Sequence, residues 1–297
     1  MIAALLLALW AAAVTGPLPR LLAGAAWTRR APAVGVLAWQ ALGVSAVAAA
    51  ALAVRQLLDP SPHHHDRLLH LCGLSAPTAT VSRLALAAAV GVALVPAGLF
   101  AARLAAAARG RRRHRSVLDL AARRGVLPGV LVLEHPAPAV YCLPGRGRRV
   151  VVSRGALDAL TPEQLAAALA HEQGHLSGRH HLAVCAAEAS ARAFGALPLG
   201  RLVREETRLL LEMAADDRAL RTHPARALAG AMGVVAGARL PSPALGAGHH
   251  AAARVSRLAA HRSRPPRVLR ALGAAAAGAL AIAPPVLACA PHLLLPL

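Results

Sequence analysis

The chain has 297 residues, of which 57% are hydrophobic, 2% aromatic and 15% charged, and its formal net charge is +20. This apolar content excludes an intrinsically disordered chain, and a mean hydropathy of +0.51 argues against an ordinary soluble enzyme. All 33 basic residues are arginine, but neither aromatic stacking residues nor a DNA-reading helix accompany them. We therefore expect no direct binding of nucleic acid.

Four apolar segments predict a polytopic protein with about four transmembrane helices. The first covers residues 1–15 and forms a full span only if its helix continues past Pro17; an uncleaved signal anchor is the alternative interpretation. The other three cover residues 34–54, 84–104 and 271–290. Together they predict a multi-pass protein of the cell membrane, with the lipid bilayer as its surroundings.

The arginines between these segments are unevenly distributed. The loop between the second and third segments carries Arg55 and Arg67, which Asp59 and Asp66 balance. Eight unbalanced arginines flank the neighbouring segments: Arg20, Arg29, Arg30, Arg109, Arg111, Arg112, Arg113 and Arg115. The positive-inside rule therefore predicts an N-terminus outside the cell and residues 109–267 in the cytoplasm.

The outer loop of this topology also holds a histidine cluster, His63, His64 and His65. The cluster has two interpretations: a metal-binding loop, or a polar loop among prolines without fixed ligand geometry.

The predicted cytoplasmic region combines short strands with helices. Short stretches rich in β-branched residues at 130–133, 139–143 and 149–152 predict a small meander of strands. A helix then begins with Thr161 as N-cap, Pro162 at the first helical position and Gln164 closing a capping box. Its end is expected at Gly178, and further helices are expected at about 182–196 and 203–221.

These elements predict a mainly α protein in three parts. Residues 1–104 form a membrane region with three spans, residues 105–268 a cytoplasmic α+β domain with a small sheet, and residues 269–297 a last transmembrane helix with a short tail.

The capped helix contains an HExxH motif, His171 to His175. Histidines four residues apart lie one above the other on a helix face, so both imidazoles can reach one ion, and zinc suits that geometry. Glu172 projects beside the pair, where the glutamate of an HExxH motif acts as general base.

A catalytic zinc also needs a third protein ligand. Glu212 and Asp216 share one face of a later helix, so Glu212 is the candidate ligand and Asp216 the acid that orients a ligand histidine. The alternative is that these acids form a solvated helix face paired with Arg208 and Arg218.

HEQGH at 171–175 followed by EMAADD at 212–217 resembles the BlaR/MecR-type membrane zinc metallopeptidases. The segments 144–153 and 160–165 are also similar to the sequence that precedes the zinc-binding helix in that family. HtpX-like and prenyl-protein-processing membrane proteases share the HExxH motif followed by a Glu-x-x-x-Asp pair. The resemblance implies a zincin-like domain with one zinc ion per chain, held by His171, His175 and Glu212.

The resemblance further implies regulatory proteolysis of a cytoplasmic protein, such as a transcriptional repressor of the BlaI/MecI type. Only residues 291–297 follow the last apolar segment, so we expect no extracellular sensor domain. One alternative is an HtpX-like quality-control protease of membrane proteins. Another is a non-catalytic zinc-binding receptor, against which the presence of Glu172 argues.

Overall fold

The computed structural model describes residues 2–59, 80–124, 129–145, 147–237, 245–260 and 267–294, and His63, His64 and His65 lie outside them. The described chain is mainly helical, with one small mixed sheet. The helices are α1 Ile2–Thr15, α2 Pro17–Gly24, α3 Ala26–Arg30, α4 Pro32–Leu58, α5 Thr80–Ala121, α6 Arg154–Ala159, α7 Pro162–Ser177, α8 His180–Phe194, α9 Pro198–Ala219, α10 Ala225–Gly237, α11 Leu245–Ala259 and α12 Arg267–Leu294. The strands are β1 Ala122–Arg124, β2 Val130–Leu133, β3 Val140–Leu143 and β4 Arg149–Ser153.

Three of the described helices, α4, α5 and α12, are long and apolar enough to cross a membrane. The pair α1 and α2 would make a fourth span, but the two helices are bent by 41° relative to each other. Large apolar side chains remain exposed on the long helices, with Leu84 65% and Leu94 61% exposed on α5. Such surfaces are expected against lipid and indicate that the protein associates with a membrane.

The small sheet confirms the three predicted strands but not their predicted arrangement. Its order is β1-β2-β4-β3, with β2 and β4 parallel and β3 antiparallel to β4. The predicted meander is therefore wrong, because β4 lies between β2 and β3 and pairs with both. The connection from β2 to β4 is long enough to include β3, so that β4 can return to run parallel to β2. Strand β1 was not predicted, because its sequence of one alanine and two arginines carries no strand signal.

The helix that carries HExxH begins as the sequence predicts. The backbone N–H of Gln164 donates to Thr161 Oγ1 at 3.3 Å, and the backbone N–H of Thr161 donates to Gln164 Oε1 at 3.0 Å. Helix α7 then ends at Ser177, directly before Gly178. This reciprocal capping fixes where the motif stands along the helix.

The helices α8 and α9 pack against α4. Trp39 and Leu42 of α4 share one buried core with Leu199, Val203 and Leu210 of α9. A polar contact joins the same two helices, because Gln40 Nε2 donates to Thr207 Oγ1 at 3.4 Å. The helix that carries Glu212 is thus seated directly on a helix of membrane-spanning length.

Candidate metal centre

The first two candidate ligands lie one turn apart on α7. The Nε2 atoms of His171 and His175 face each other and lie 3.1 Å apart. The rings meet edge to face, with an angle of 74° between their planes. Both nitrogens are therefore directed at one shared point, as the i, i+4 spacing predicts.

Helix α9 brings the third candidate to the same point. Glu212 Oε2 lies 3.5 Å from His171 Nε2, and Glu212 Oε1 lies 3.4 Å from His175 Nε2. The approach of the two helices depends on Gly174, because a Cβ atom there would stand 3.1 Å from the Cα of Ala215. With one donor atom taken from each residue, the donors of His171, His175 and Glu212 all lie within 4.8 Å of one another.

These separations fit a tetrahedral zinc ion. Bonds of about 2.0–2.1 Å at tetrahedral angles place neighbouring donor atoms ~3.3 Å apart. The two Nε2 atoms lie 3.1 Å apart, and each has a different Glu212 oxygen near that distance, Oε2 at 3.5 Å from His171 and Oε1 at 3.4 Å from His175. Two imidazole nitrogens and a carboxylate are also the donor set of many catalytic zinc sites, which leave one position open.

Asp216 lies one turn beyond Glu212, on the far side of His171. Its Oδ1 is 2.9 Å from His171 Nδ1, and its side chain is only 1% exposed. A carboxylate in this place fixes the orientation of the ring and makes the opposite nitrogen, Nε2, a better ligand.

Glu172 faces the end of the sheet formed by β3. Its carboxylate lies close enough to Cys142 of β3 for the two groups to shift each other's pKa. Burial raises the pKa of Glu172, although the nearby His171 acts in the opposite direction. The candidate general base therefore lies between α7 and a strand, close to the ligand cluster.

The electrostatics of the cluster favour positive charge at its centre. Burial lowers the pKa of His171, but contacts with Asp216 and Glu212 outweigh it and raise that pKa to about 9. For His175, burial prevails over Glu212 and lowers the pKa to about 4. Burial alone would raise the pKa of Glu212, yet His171 and Arg254 lower it to about 2. The two acids thus stay ionised around the point at which the imidazole Nε2 atoms meet.

Sequence reasoning missed Arg254, which lies on α11. Its guanidinium donates to Glu212 and to both oxygens of Asp216. No spacing or motif sets this residue apart among 33 arginines. Arg208, one partner in the alternative interpretation, donates to Glu188 of α8 at 2.6 Å, and Asp216 is only 1% exposed.

His180 is a second residue whose position at the cluster the sequence did not predict. The structure puts His180 Nδ1 2.8 Å from His175 Nδ1. Between α7 and α8 the chain turns at Arg179, whose backbone is left-handed with a φ of 50°. The two rings border a cavity of about 200 Å³, lined also by Pro144, Val184 and Leu211.

Comparison with known proteins agrees with this geometry. The family model of Peptidase family M48, a family of zinc metallopeptidases, matches residues 107–232, which include β1–β4, α7, α9 and the whole ligand cluster. No solved structure matches the chain. The match over residues 107–232 and the cluster of His171, His175 and Glu212 together support a metallopeptidase.

Proposed function

We propose that this protein is a membrane zinc endopeptidase that cleaves a cytoplasmic regulatory protein. The observation that carries the proposal is the convergence of His171 Nε2, His175 Nε2 and the Glu212 carboxylate on one point, with Glu172 beside it. Such a cluster combines three ligands, a free fourth position and a general base, which is the set of parts that metal-assisted peptide hydrolysis requires.

In this proposal His171, His175 and Glu212 hold one zinc ion per chain, and Asp216 orients His171. A bound zinc ion would supply Lewis acidity, which polarises a peptide carbonyl and acidifies a water molecule. Glu172 accepts a proton from that water as its oxygen bonds to the carbonyl carbon. Glu172 then passes the proton to the amide nitrogen as the C–N bond breaks, so that a carboxylic acid and an amine leave.

Strand β3 is placed to hold the substrate. It ends the described sheet on the side of α7, and Cys142 in its middle contacts Glu172. An extended peptide can add to such an edge through backbone hydrogen bonds, which would lay its carbonyl groups alongside the ligand cluster. The cavity beside His175 and His180 would then receive one substrate side chain.

The charge distribution supports a cytoplasmic site. Helix α5 runs from its apolar part directly into the arginine cluster of residues 109–115, and the zinc-binding segment follows it in the chain. We would insert the recognition sequence of a site-specific protease after Gly195, at the exposed turn between α8 and α9. In intact cells this site is expected to resist protease added from outside. The same insertion should be cut after the cells are permeabilised. Cutting in intact cells would reverse the proposed topology.

Regulatory proteolysis is preferred because EMAADD at 212–217 resembles the BlaR/MecR-type sequence more than the HtpX-like one, so a repressor of the BlaI/MecI type is the first substrate to test. An HtpX-like role in removing damaged membrane proteins is the second candidate, which the contact of α9 with α4 favours. A receptor that only binds zinc would have no need of Glu172.

The substrate class can be tested by comparing new protein N-termini in cells that express the wild type or Glu172→Ala. A regulatory protease should produce one or a few new N-termini from soluble proteins, all absent in the variant. Many new N-termini from membrane proteins would favour the quality-control role instead. Identical N-termini in both cell lines would contradict a proteolytic function.

A further inference from the structure

We propose that Arg254 is a positioning residue that prepares Glu212 and Asp216 for zinc binding, an inference that rests on the proposed zinc site. Arg254 belongs to α11, outside the HExxH helix and outside the segment that matches the family model. It nevertheless donates hydrogen bonds to both acids of the cluster.

The contact is made by three nitrogens of one guanidinium. Arg254 Nη1 donates to Glu212 Oε2 at 2.8 Å. Arg254 Nε and Nη2 donate to Asp216 Oδ2 and Oδ1 at 2.8 and 2.6 Å. The Arg254 side chain is only 13% exposed, so these charge-assisted bonds are largely shielded from water.

Both acids contact Arg254 and a histidine of the cluster at the same time. The Glu212 oxygen that Arg254 holds is Oε2, whereas Oε1 remains directed at His175 Nε2, 3.4 Å away. Asp216 uses Oδ1 toward both Arg254 and His171 Nδ1. One planar cation therefore sets the orientation of a ligand and of the acid that orients another ligand.

This arrangement should strengthen zinc binding even though it adds positive charge nearby. Glu212 is 36% exposed and has several rotatable bonds, so without Arg254 its carboxylate would sample many rotamers before binding. A carboxylate already fixed in place avoids that entropic cost. Arg254 also balances one of the two negative charges that Glu212 and Asp216 bring together.

Helix α11 provides a matched control one turn away. Arg257 donates to Asp217 Oδ1 at 2.5 Å and to the backbone carbonyl of Arg29 at 3.0 Å. It is 18% exposed, close to the value for Arg254, and it also pairs α11 with α9. Arg257 touches none of the cluster residues His171, His175, Glu212 and Asp216 in these contacts.

The test measures the zinc affinity of the purified full-length protein by competition with a chromophoric chelator. Arg254→Gln is expected to lower the affinity by about tenfold or more, the range seen when residues that support metal ligands are lost. Arg254→Lys should fall between wild type and Arg254→Gln, because an ammonium keeps the charge but cannot reproduce the planar bidentate contact with Asp216 together with the bond to Glu212. Arg257→Gln should bind zinc as tightly as the wild type.

Three results would overturn the inference: an Arg254→Gln affinity equal to or tighter than that of the wild type, an equal loss in Arg257→Gln, or a complete rescue by lysine. If Arg254→Gln does not fold, the comparison of Arg254→Lys with Arg257→Lys decides, with loss expected only in the former. Absence of zinc from the wild-type protein would instead refute the proposed function itself.

Discussion

Glu172→Ala is expected to keep about one zinc ion per chain and to lose peptide cleavage by about three orders of magnitude, within the range for removal of a general acid–base. Glu172 is absent from the three residues whose donor atoms converge, so its loss leaves the ligands His171, His175 and Glu212 in place. Metal content is measured by elemental analysis and cleavage with the substrate found in cells, or by self-cleavage.

The matched control is Glu163→Ala on the same helix. Glu163 is 51% exposed and pairs only weakly with the still more exposed Arg226, at 3.4 Å. This variant should therefore cleave at the wild-type rate. Undiminished cleavage by Glu172→Ala would show that another group takes the proton, and loss of zinc from it would show that Glu172 supports the ligands.

His171→Ala is expected to reduce bound zinc from about one ion per chain to nearly none, because it removes one of three protein ligands. It also leaves Asp216, which is 1% exposed, without its imidazole partner. A ligand that binds only the folded state raises the thermal unfolding temperature. Because this variant should not bind zinc, the addition of zinc should leave its unfolding temperature unchanged. Elemental analysis and a thermal shift assay measure the two effects.

His114→Ala is the matched control for this experiment. His114 lies on α5 and contacts the Tyr141 hydroxyl at 2.9 Å, outside the ligand cluster. Its loss should change neither zinc content nor the stabilisation by zinc. Retention of a full zinc complement by His171→Ala would remove His171 from the ligand set.

Sequence patterns predicted the features that depend on neighbouring residues. Apolar runs located α4, α5 and α12, and the Thr161–Gln164 capping box located the start of α7, because hydropathy and capping act over a few residues. The ends of α8 and α9 were placed less well. Helix α9 begins at Pro198, before the predicted start at 203. Its first turn is stabilised by the packing of Leu199 against α4, which the spacing of apolar residues within α9 does not reveal.

Features that depend on distant contacts were not predictable. The parallel pairing of β2 with β4 is decided by how the sheet is assembled and not by either strand alone. Within the site, the i, i+4 rule brought His171 to His175 and Glu212 to Asp216, and the structure joins these two pairs. The contacts of Arg254 with Glu212 and of His180 with His175 were not predicted, because a lone arginine and a histidine after a turn carry no periodic signal.

The shared core of α4 and α9 has a practical consequence for expression of the protein. Leu199, Val203 and Leu210 are almost completely covered, and the cover comes in part from Trp39 and Leu42. A fragment trimmed to residues 107–232 would uncover this apolar strip beside the very turn that bears Glu212. Such an excised piece should aggregate in aqueous buffer, so preparations ought to retain α4 and work in detergent or nanodiscs.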